Sequence, residues 1–172
     1  MKSTARPAAD LGRKLHIGID CESAEIVAIE LTKNKKESDD GGRTAALLDQ
    51  LTDPLASFTD DGAYDQDRVY ETVAERHPDA AVIVPPRATA VPGPSATTAP
   101  TQRDRHIQEI VAHDRMGWQK SSGYNLRAKV EAAIGRYKRV VGDQTEATEV
   151  AIAAAALNRM LEFGRPNYVR IT

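Results

Sequence analysis

The sequence predicts an α/β fold from the order of its segments, and its length and composition fit a single soluble domain. Short aliphatic and β-branched segments alternate with amphipathic ones, in the order strand, strand, helix, strand, helix, strand and two long helices. The length of 172 residues suits one domain with a sizeable core. Hydrophobic residues at 41% and charged residues at 28% are ordinary for a soluble globular protein.

The first predicted elements form a hairpin. Residues 1–12 show no periodicity and contain proline, so we expect a disordered lead-in. Residues 14–20 alternate apolar side chains with others, and residues 25–32 are rich in β-branched and aliphatic side chains, which predicts two strands joined by a turn. Asp20 ends the first strand. We interpret His16 as an ordinary strand histidine rather than a ligand.

The middle of the chain predicts two helices and two strands. A polar surface loop comes first, followed by a helix that begins at Thr44 and a strand over 55–61. The next helix is capped by Asp67 or a neighbour and ends at about Arg76. A strand over 80–85 and a mobile Pro/Ala-rich loop over 85–101 follow. Asp61 ends a strand directly before Gly62, a residue that lets the backbone turn tightly. An acidic residue therefore follows a strand for the second time.

Three helices are predicted in the C-terminal part, over 103–113, 124–138 and 145–161, with Gly142 ending the second. At about 100° per residue, the second helix has a narrow stripe made of Tyr124, Arg127, Glu131 and Lys138. The apolar face beside it would pack on the core and consists of Leu126, Val130, Ala133, Ile134 and Tyr137. Further cations on this segment are Lys129, Arg136 and Arg139.

The charges are distributed unevenly along the chain. Between residues 115 and 139 there are seven cations and a single acid, Glu131, so this segment carries +6 while the whole chain carries −2. A local cationic segment on an otherwise acidic chain suits contact with phosphate groups. The alternative is a basic helix that is simply solvated.

Other features limit the classes of protein to which the chain can belong. The single Cys21 allows no internal disulfide and is not part of a metal-type cysteine pair, which favours a reducing cytosol. No apolar run approaches the roughly 18 residues of a membrane span, and the N-terminus lacks an apolar signal core. We therefore expect a cytoplasmic protein with no membrane partner.

Three acids are candidates for a metal site: Asp20 and Asp61 at strand ends and Glu131 on a helix. In an α/β arrangement they can converge where the sheet edge meets that helix. Carboxylates suit hard, oxygen-preferring cations such as Mg²⁺, and a pair of such ions can assist displacement at phosphorus. For Glu131 the alternative is an exposed ion pair along the helix.

The same residues resemble the motifs of insertion-sequence DDE transposases in order and approximate spacing. The resemblance covers about residues 13–162, and its motifs are Gly18-Ile19-Asp20, Asp61-Gly62-Ala63-Tyr64-Asp65, Gly123-Tyr124-x2-Arg127-x3-Glu131-x6-Lys138 and Leu157-Asn158-Arg159-Met160. It implies an RNase H-like fold, a mixed sheet flanked by helices, over residues 13–164, followed by a tail over 165–172.

The resemblance also implies roles for individual residues. Asp20, Asp61 and Glu131 would be the catalytic ligands of two Mg²⁺ ions, for which Mn²⁺ can substitute. The residues expected to bind DNA are Tyr124, Arg127 and Lys138 on the stripe, together with Lys129, Arg136 and Arg139. Trp118 would stack on an exposed base or else be an ordinary packed tryptophan. The family pattern favours Asp61 over Asp60 as the ligand, and Asp65 and Tyr64 would support it.

The implied function is DNA transposition, by hydrolysis of a phosphodiester at the transposon end and transfer of the liberated 3′ hydroxyl to target DNA. The expected partners are DNA, a second copy of the chain on that DNA, and a polypeptide that supplies the N-terminal DNA-binding region, which we expect this chain to lack. The alternative is a truncated, non-catalytic remnant that binds DNA or intact transposase.

Overall fold

The computed structural model of the chain describes residues 13–33, 40–141 and 147–163. The predictions that lie outside these residues concern the lead-in over 1–12, the tail over 165–172, the helix end at Gly142 and much of the polar loop after the second strand. In chain order the strands and helices are β1 Arg13–Ile19, β2 Ile26–Lys33, α1 Thr44–Leu48, β3 Ser57–Thr59, α2 Asp67–Arg76, β4 Ala81–Ile83, α3 Gln102–Ser121, α4 Arg127–Val141 and α5 Ala147–Glu162.

The predicted hairpin is formed by β1 and β2. The strands are antiparallel, with Leu15 opposite Leu31, and their register shifts directly after Gly18. A Cβ atom on Gly18 would lie only 3.0 Å from the Cβ of Ala28, so a larger residue here would push the two strands slightly apart. The aliphatic face of the hairpin belongs to a core cluster whose buried members are Ile26, Tyr137, Val150, Ala154 and Leu157.

A second core surrounds the parallel pair β3 and β4, which α2 connects. Its buried members are Leu48, Tyr64, Val69, Val73, Ala80, Val82 and Val84. Each strand has three residues, fewer than the predicted 55–61 and 80–85. The first is short because the chain turns at Asp61 into a 3₁₀ helix, Gly62–Tyr64. The second is followed closely by Pro85, which cannot donate a ladder hydrogen bond.

Within the described residues the strands form two separate two-stranded sheets, where the sequence predicted one mixed sheet. Side-chain amides cover the outer edge of β2. The amide of Gln50 donates to the carbonyl of Ile29 at 3.1 Å and accepts from its N–H at 3.0 Å. Asn158 makes the same pair of bonds with Ile26, both at 2.9 Å. A carboxamide has one donor and one acceptor group, as the backbone of a neighbouring strand would have. The backbone groups of Ile26 and Ile29 are therefore hydrogen-bonded although no third strand in the described residues pairs with β2.

Helix α3 is longer than the predicted 103–113. Thr101 and Asp104 form a capping box at its start, which satisfies N–H groups that lack helical partners. At Asp114 the backbone leaves the helical region, with φ 61° and ψ 175°, and the helix then continues to Ser121. The second half of the helix, which carries Trp118, was not predicted from the sequence.

Helix α4 begins three residues later than predicted. Gly123 is left-handed, with φ 76°, and the residues Tyr124–Leu126 form a 3₁₀ turn before the α-helix starts at Arg127. Tyr124 therefore precedes α4 in the 3₁₀ turn, yet it stays near the stripe, since the charges of Arg127 and Glu131 act on the pKa of its phenol. Ala133 and Tyr137 are buried as predicted, whereas Leu126 is 46% exposed and does not join the core.

The Pro/Ala-rich segment over 85–101 has turns and no strand or helix, as predicted for a loop. Hydrogen bonds join this segment to α3. The N–H of Gly93 donates to Asp104 at 2.7 Å, and Arg115 donates to the carbonyl of Pro86 at 3.1 Å. Ala96 is buried against this framework. Among all helices in the described ranges, none is long and apolar enough to cross a membrane.

Candidate functional site

The turn after β3 presents Asp61 at the surface. Its Oδ1 accepts the N–H of Ala63 at 2.8 Å and so caps the 3₁₀ helix Gly62–Tyr64. Asp60 accepts the N–H of Asp61 itself at 2.8 Å, which turns this neighbouring carboxylate toward the backbone. The side chain of Asp61 is 48% exposed, and its Oδ2 points to α4. Asp61 thus contacts the predicted helix directly.

Asp65 supports this turn from beneath. Its side chain is fully buried and receives hydrogen bonds from Arg103 Nε at 2.7 Å, Arg103 Nη2 at 3.1 Å and the N–H of Arg87 at 3.0 Å. The hydrogen bonds from Arg103 to Asp65 raise the pKa of the guanidinium. Arg103 was not among the site residues predicted from the sequence. It lies on α3, and no local spacing relates it to Asp65.

Arg127 joins two of the three predicted acids. Its Nη2 lies 3.3 Å from Oδ2 of Asp61, and its Nη1 lies 2.8 Å from Oε1 of Glu131. The side chain of Glu131 is 66% exposed, and that of Arg127 is 28% exposed. The structure therefore gathers Asp61 and Glu131 around one guanidinium at the surface, although many residues separate them in the chain.

Asp20 lies in the turn between β1 and β2 and is engaged within it. Its carboxylate accepts from the hydroxyl of Ser23 at 2.5 Å, the N–H of Ser23 at 2.9 Å and the N–H of Glu22 at 3.2 Å. The hydrogen bonds from Ser23 hold the pKa of Asp20 below its usual value. Burial raises the pKa of the neighbouring thiol of Cys21.

Two of the predicted DNA-binding cations contact the Asp20 turn. Lys129 donates to the carbonyl of Cys21 at 2.8 Å, and Arg136 donates to the carbonyl of Ala24 at 3.2 Å. These two side chains lie about 140° to 200° around α4 from Arg127 and Glu131, at about 100° per residue. Helix α4 thus contacts both acidic turns through different residues.

Three acids were expected to converge, and the contacts of Arg127 join two of them, Asp61 and Glu131. Within the described residues, no group of three His, Cys, Asp or Glu side chains is arranged to hold a metal ion. Carboxylate oxygens are suitable donors for Mg²⁺, and Asp61 and Glu131 already share one cationic partner. This pair fits a cation, whereas the hydrogen bonds of Asp20 lie within its own turn.

The remaining predicted DNA-binding residues have different environments. Lys138 and Arg139 are exposed on α4. Trp118 is fully buried, so the alternative of a packed tryptophan is correct and stacking on a base is not available to it. Tyr124 packs on Trp118 with ring centroids 5.3 Å apart, and its partial burial raises the pKa of the phenol.

The fold and the site together define a class: an α/β protein in which a cationic helix and surface carboxylates are suited to phosphate groups. A family model described as Transposase DDE domain matches residues 5–159. The match covers most of the chain, and the protein therefore belongs to the transposase DDE domain family.

Membership in this family implies a part in transposition, with DNA as the substrate. The predicted fold class, an RNase H-like α/β domain, is confirmed in its small sheets flanked by helices. No solved structure matches the chain.

Proposed function

We propose that the chain carries out DNA transposition by cleaving and joining phosphodiesters at transposon ends. The observation that carries this proposal is the meeting of Asp61 and Glu131, which come from separate motifs of the family, around Arg127. A surface that presents two carboxylates beside a guanidinium offers groups for a cation and for a phosphate.

The proposed reaction has two displacements at phosphorus. In the first, a water oxygen bonds to phosphorus at the transposon end, its proton passes to solvent, and the 3′ oxygen leaves as a hydroxyl. In the second, that 3′ hydroxyl bonds to a phosphorus of target DNA, and the 3′ oxygen of the target leaves. Because both steps exchange one oxygen for another on a phosphodiester, one site can serve both.

The proposed cofactor is Mg²⁺, with Mn²⁺ as a substitute. Asp61 and Glu131 would hold it, and Asp20 stays the predicted third ligand. When bound, divalent ions activate the attacking oxygen and stabilise the leaving oxygen. Since the carboxylate of Asp20 is engaged in its own turn, the contacts support the pair more directly than the set of three.

The proposed DNA contacts are cationic groups that remain at the surface. Lys138 and Arg139 are exposed on α4, and Arg127 lies beside the two acids. Lys129 and Arg136 act on DNA less directly in this proposal, because they hold the turn of Asp20. Pairing of two copies on DNA, and a partner polypeptide that recognises the ends, complete the assembly that we propose.

The test is cleavage of DNA that carries the terminal repeats of the element encoding the chain, in Mg²⁺ or Mn²⁺. We expect the Glu131→Gln variant to cleave about 100-fold less or worse, since a group that stabilises developing charge is lost. Glu71→Gln is the matched control, because Glu71 is exposed on α2. It should cleave like the unchanged chain.

The opposite result would be that the unchanged chain binds DNA with a steep salt dependence yet never cleaves it in either metal. That outcome would overturn the catalytic proposal and favour a role limited to DNA binding. Equal cleavage by the unchanged chain and Glu131→Gln would remove Glu131 from the site.

A further inference from the structure

Arg127 occupies the position at which a cation would serve both acids. One of its terminal nitrogens contacts Asp61 and the other contacts Glu131. The second oxygen of Asp61 already accepts the N–H of Ala63, so the oxygen facing Arg127 is the one that this local cap leaves to other partners. A metal ion between the acids would therefore compete with the guanidinium for the same oxygen.

The contacts of Arg127 are of a kind that a stronger ligand can replace. All three side chains are partly exposed to solvent, and exposed ion pairs contribute about 0 to 1 kcal/mol each. A guanidinium also binds phosphate well, through two parallel hydrogen bonds. A DNA phosphate and a divalent cation can thus divide the cluster between them, one taking Arg127 and the other taking the two acids.

We propose that Arg127 is an internal counter-cation that holds Asp61 and Glu131 in the metal-free protein and is handed to a DNA phosphate when a divalent cation binds. This inference rests on the proposed function, since it concerns the same metal site. It adds that DNA and metal bind with positive coupling through one arginine. By linkage, each ligand then raises the affinity for the other by the same factor.

The first test measures Mn²⁺ binding in the absence of DNA. The signal of the free ion in electron paramagnetic resonance reports how much Mn²⁺ is bound. We expect Arg127→Gln to bind Mn²⁺ about threefold to tenfold more tightly than the unchanged chain, because two competing ion pairs are gone. Arg127→Lys separates competition from simple charge. A lysine keeps the charge but cannot place two nitrogens on two carboxylates, so it should also tighten binding, by less.

The matched control is Arg76→Gln. Arg76 also makes an ion pair with a surface aspartate, Asp49, at 2.7 Å, and its loss should leave Mn²⁺ affinity unchanged. Asp61→Asn and Glu131→Gln should each weaken Mn²⁺ binding. Circular dichroism of every variant checks that the fold is retained.

The second test follows the guanidinium itself. In a Mg²⁺ titration monitored by ¹⁵N NMR, the Nε–Hε signal of Arg127 should shift with the same midpoint as metal binding, while that of Arg76 stays in place. DNA should lower that midpoint in the unchanged chain and have less effect on Mn²⁺ affinity in Arg127→Gln. Subtracting Mn²⁺ bound by the DNA alone isolates this coupling.

Two outcomes would overturn the inference, and they differ in what they say about function. If Mn²⁺ binds in a way that needs Asp61 and Glu131 but Arg127→Gln and Arg127→Lys leave its affinity unchanged, the hand-over is wrong and the metal-dependent function stands. If neither the unchanged chain nor any variant binds Mn²⁺, with or without DNA, the inference and the proposed metal site are both wrong.

Discussion

Asp61 and Asp65 are four residues apart and have opposite surroundings. Asp61 is about half exposed and faces Arg127, whereas the side chain of Asp65 is fully buried and faces Arg103. Water can reach the first carboxylate, so a ligand can replace its partner. The second depends on its partner, because an unpaired charge in a protein interior is costly. One motif therefore contains an acid suited to binding and an acid that fixes its turn.

At this scale we predict that Arg103→Met destabilises the protein by about 2 to 4 kcal/mol, since it leaves Asp65 buried without its ionic partner. Urea unfolding measures the change in free energy. Arg76→Met is the control, because it removes an exposed ion pair and should cost less than about 1 kcal/mol. Equal effects of the two substitutions would mean that burial of Asp65 does not govern the stability of its turn.

Among the elements, α3 has a break at Asp114 that side chains bridge. The indole N–H of Trp118, after the break, donates to Nδ1 of His106, before it, at 2.9 Å. Since Nδ1 accepts, the proton of a neutral imidazole lies on Nε2, which then donates to the carbonyl of Val82 at 2.8 Å. This chain of bonds connects both halves of α3 to the segment β4.

We predict that Trp118→Phe lowers the free energy of unfolding by about 1 to 2 kcal/mol, because His106 loses a buried hydrogen-bond donor. DNA affinity should stay within about twofold of that of the unchanged chain, since a fully buried indole does not stack on a DNA base. Thermal unfolding and fluorescence anisotropy give the two quantities. A large loss of DNA affinity without loss of stability would return Trp118 to the binding surface.

In the whole molecule, α4 organises the relation between two cores. The hairpin and α5 share one apolar cluster, and β3, β4 and α2 share the other. Arg127 reaches the turn after β3, while Lys129 and Arg136 reach the turn after β1. Some cations of α4 thus bind the two acidic turns, whereas Lys138 and Arg139 are exposed to solvent.

At this scale we predict that Arg136→Gln loosens the hairpin turn. The carbonyl of Ala24 would lose its bond to Arg136, and the amides of Asp20 and Ala24, which bond within the turn, should exchange with solvent about threefold faster or more. Hydrogen exchange followed by NMR gives the rates. Lys138→Gln, which removes an exposed charge from the same helix, should leave them unchanged. Equal rates in Arg136→Gln and the unchanged chain would refute the tie.

Much of the fold could be predicted because its signals are local. The alternation along 14–20, the aliphatic run over 25–32 and the amphipathic segment ending at Arg76 each correspond to an observed element. Gly123 was visible in the sequence, yet its left-handed conformation, which delays α4 to Arg127, depends on how α3 ends. The exact residue at which a helix begins depends on packing with the rest of the chain, so the local sequence does not fix it.

The site divides in the same way. The motif spacings predicted Asp61, Arg127 and Glu131, and the structure brings these three side chains together. The use of Lys129 and Arg136 as ties to backbone carbonyls could not be predicted. A cation looks the same in a sequence whether it faces solvent or a carbonyl on a distant turn.

The sequence by itself determined the α/β class, the acids that follow strands, the cationic helix and the family to which the chain belongs, because these depend on residue type and spacing along one segment. Only the tertiary structure decided which acids meet. Asp61 and Glu131 meet through Arg127, whereas Asp20 lies in the turn that Lys129 contacts. Such contacts join residues far apart in the chain, and no local pattern encodes them.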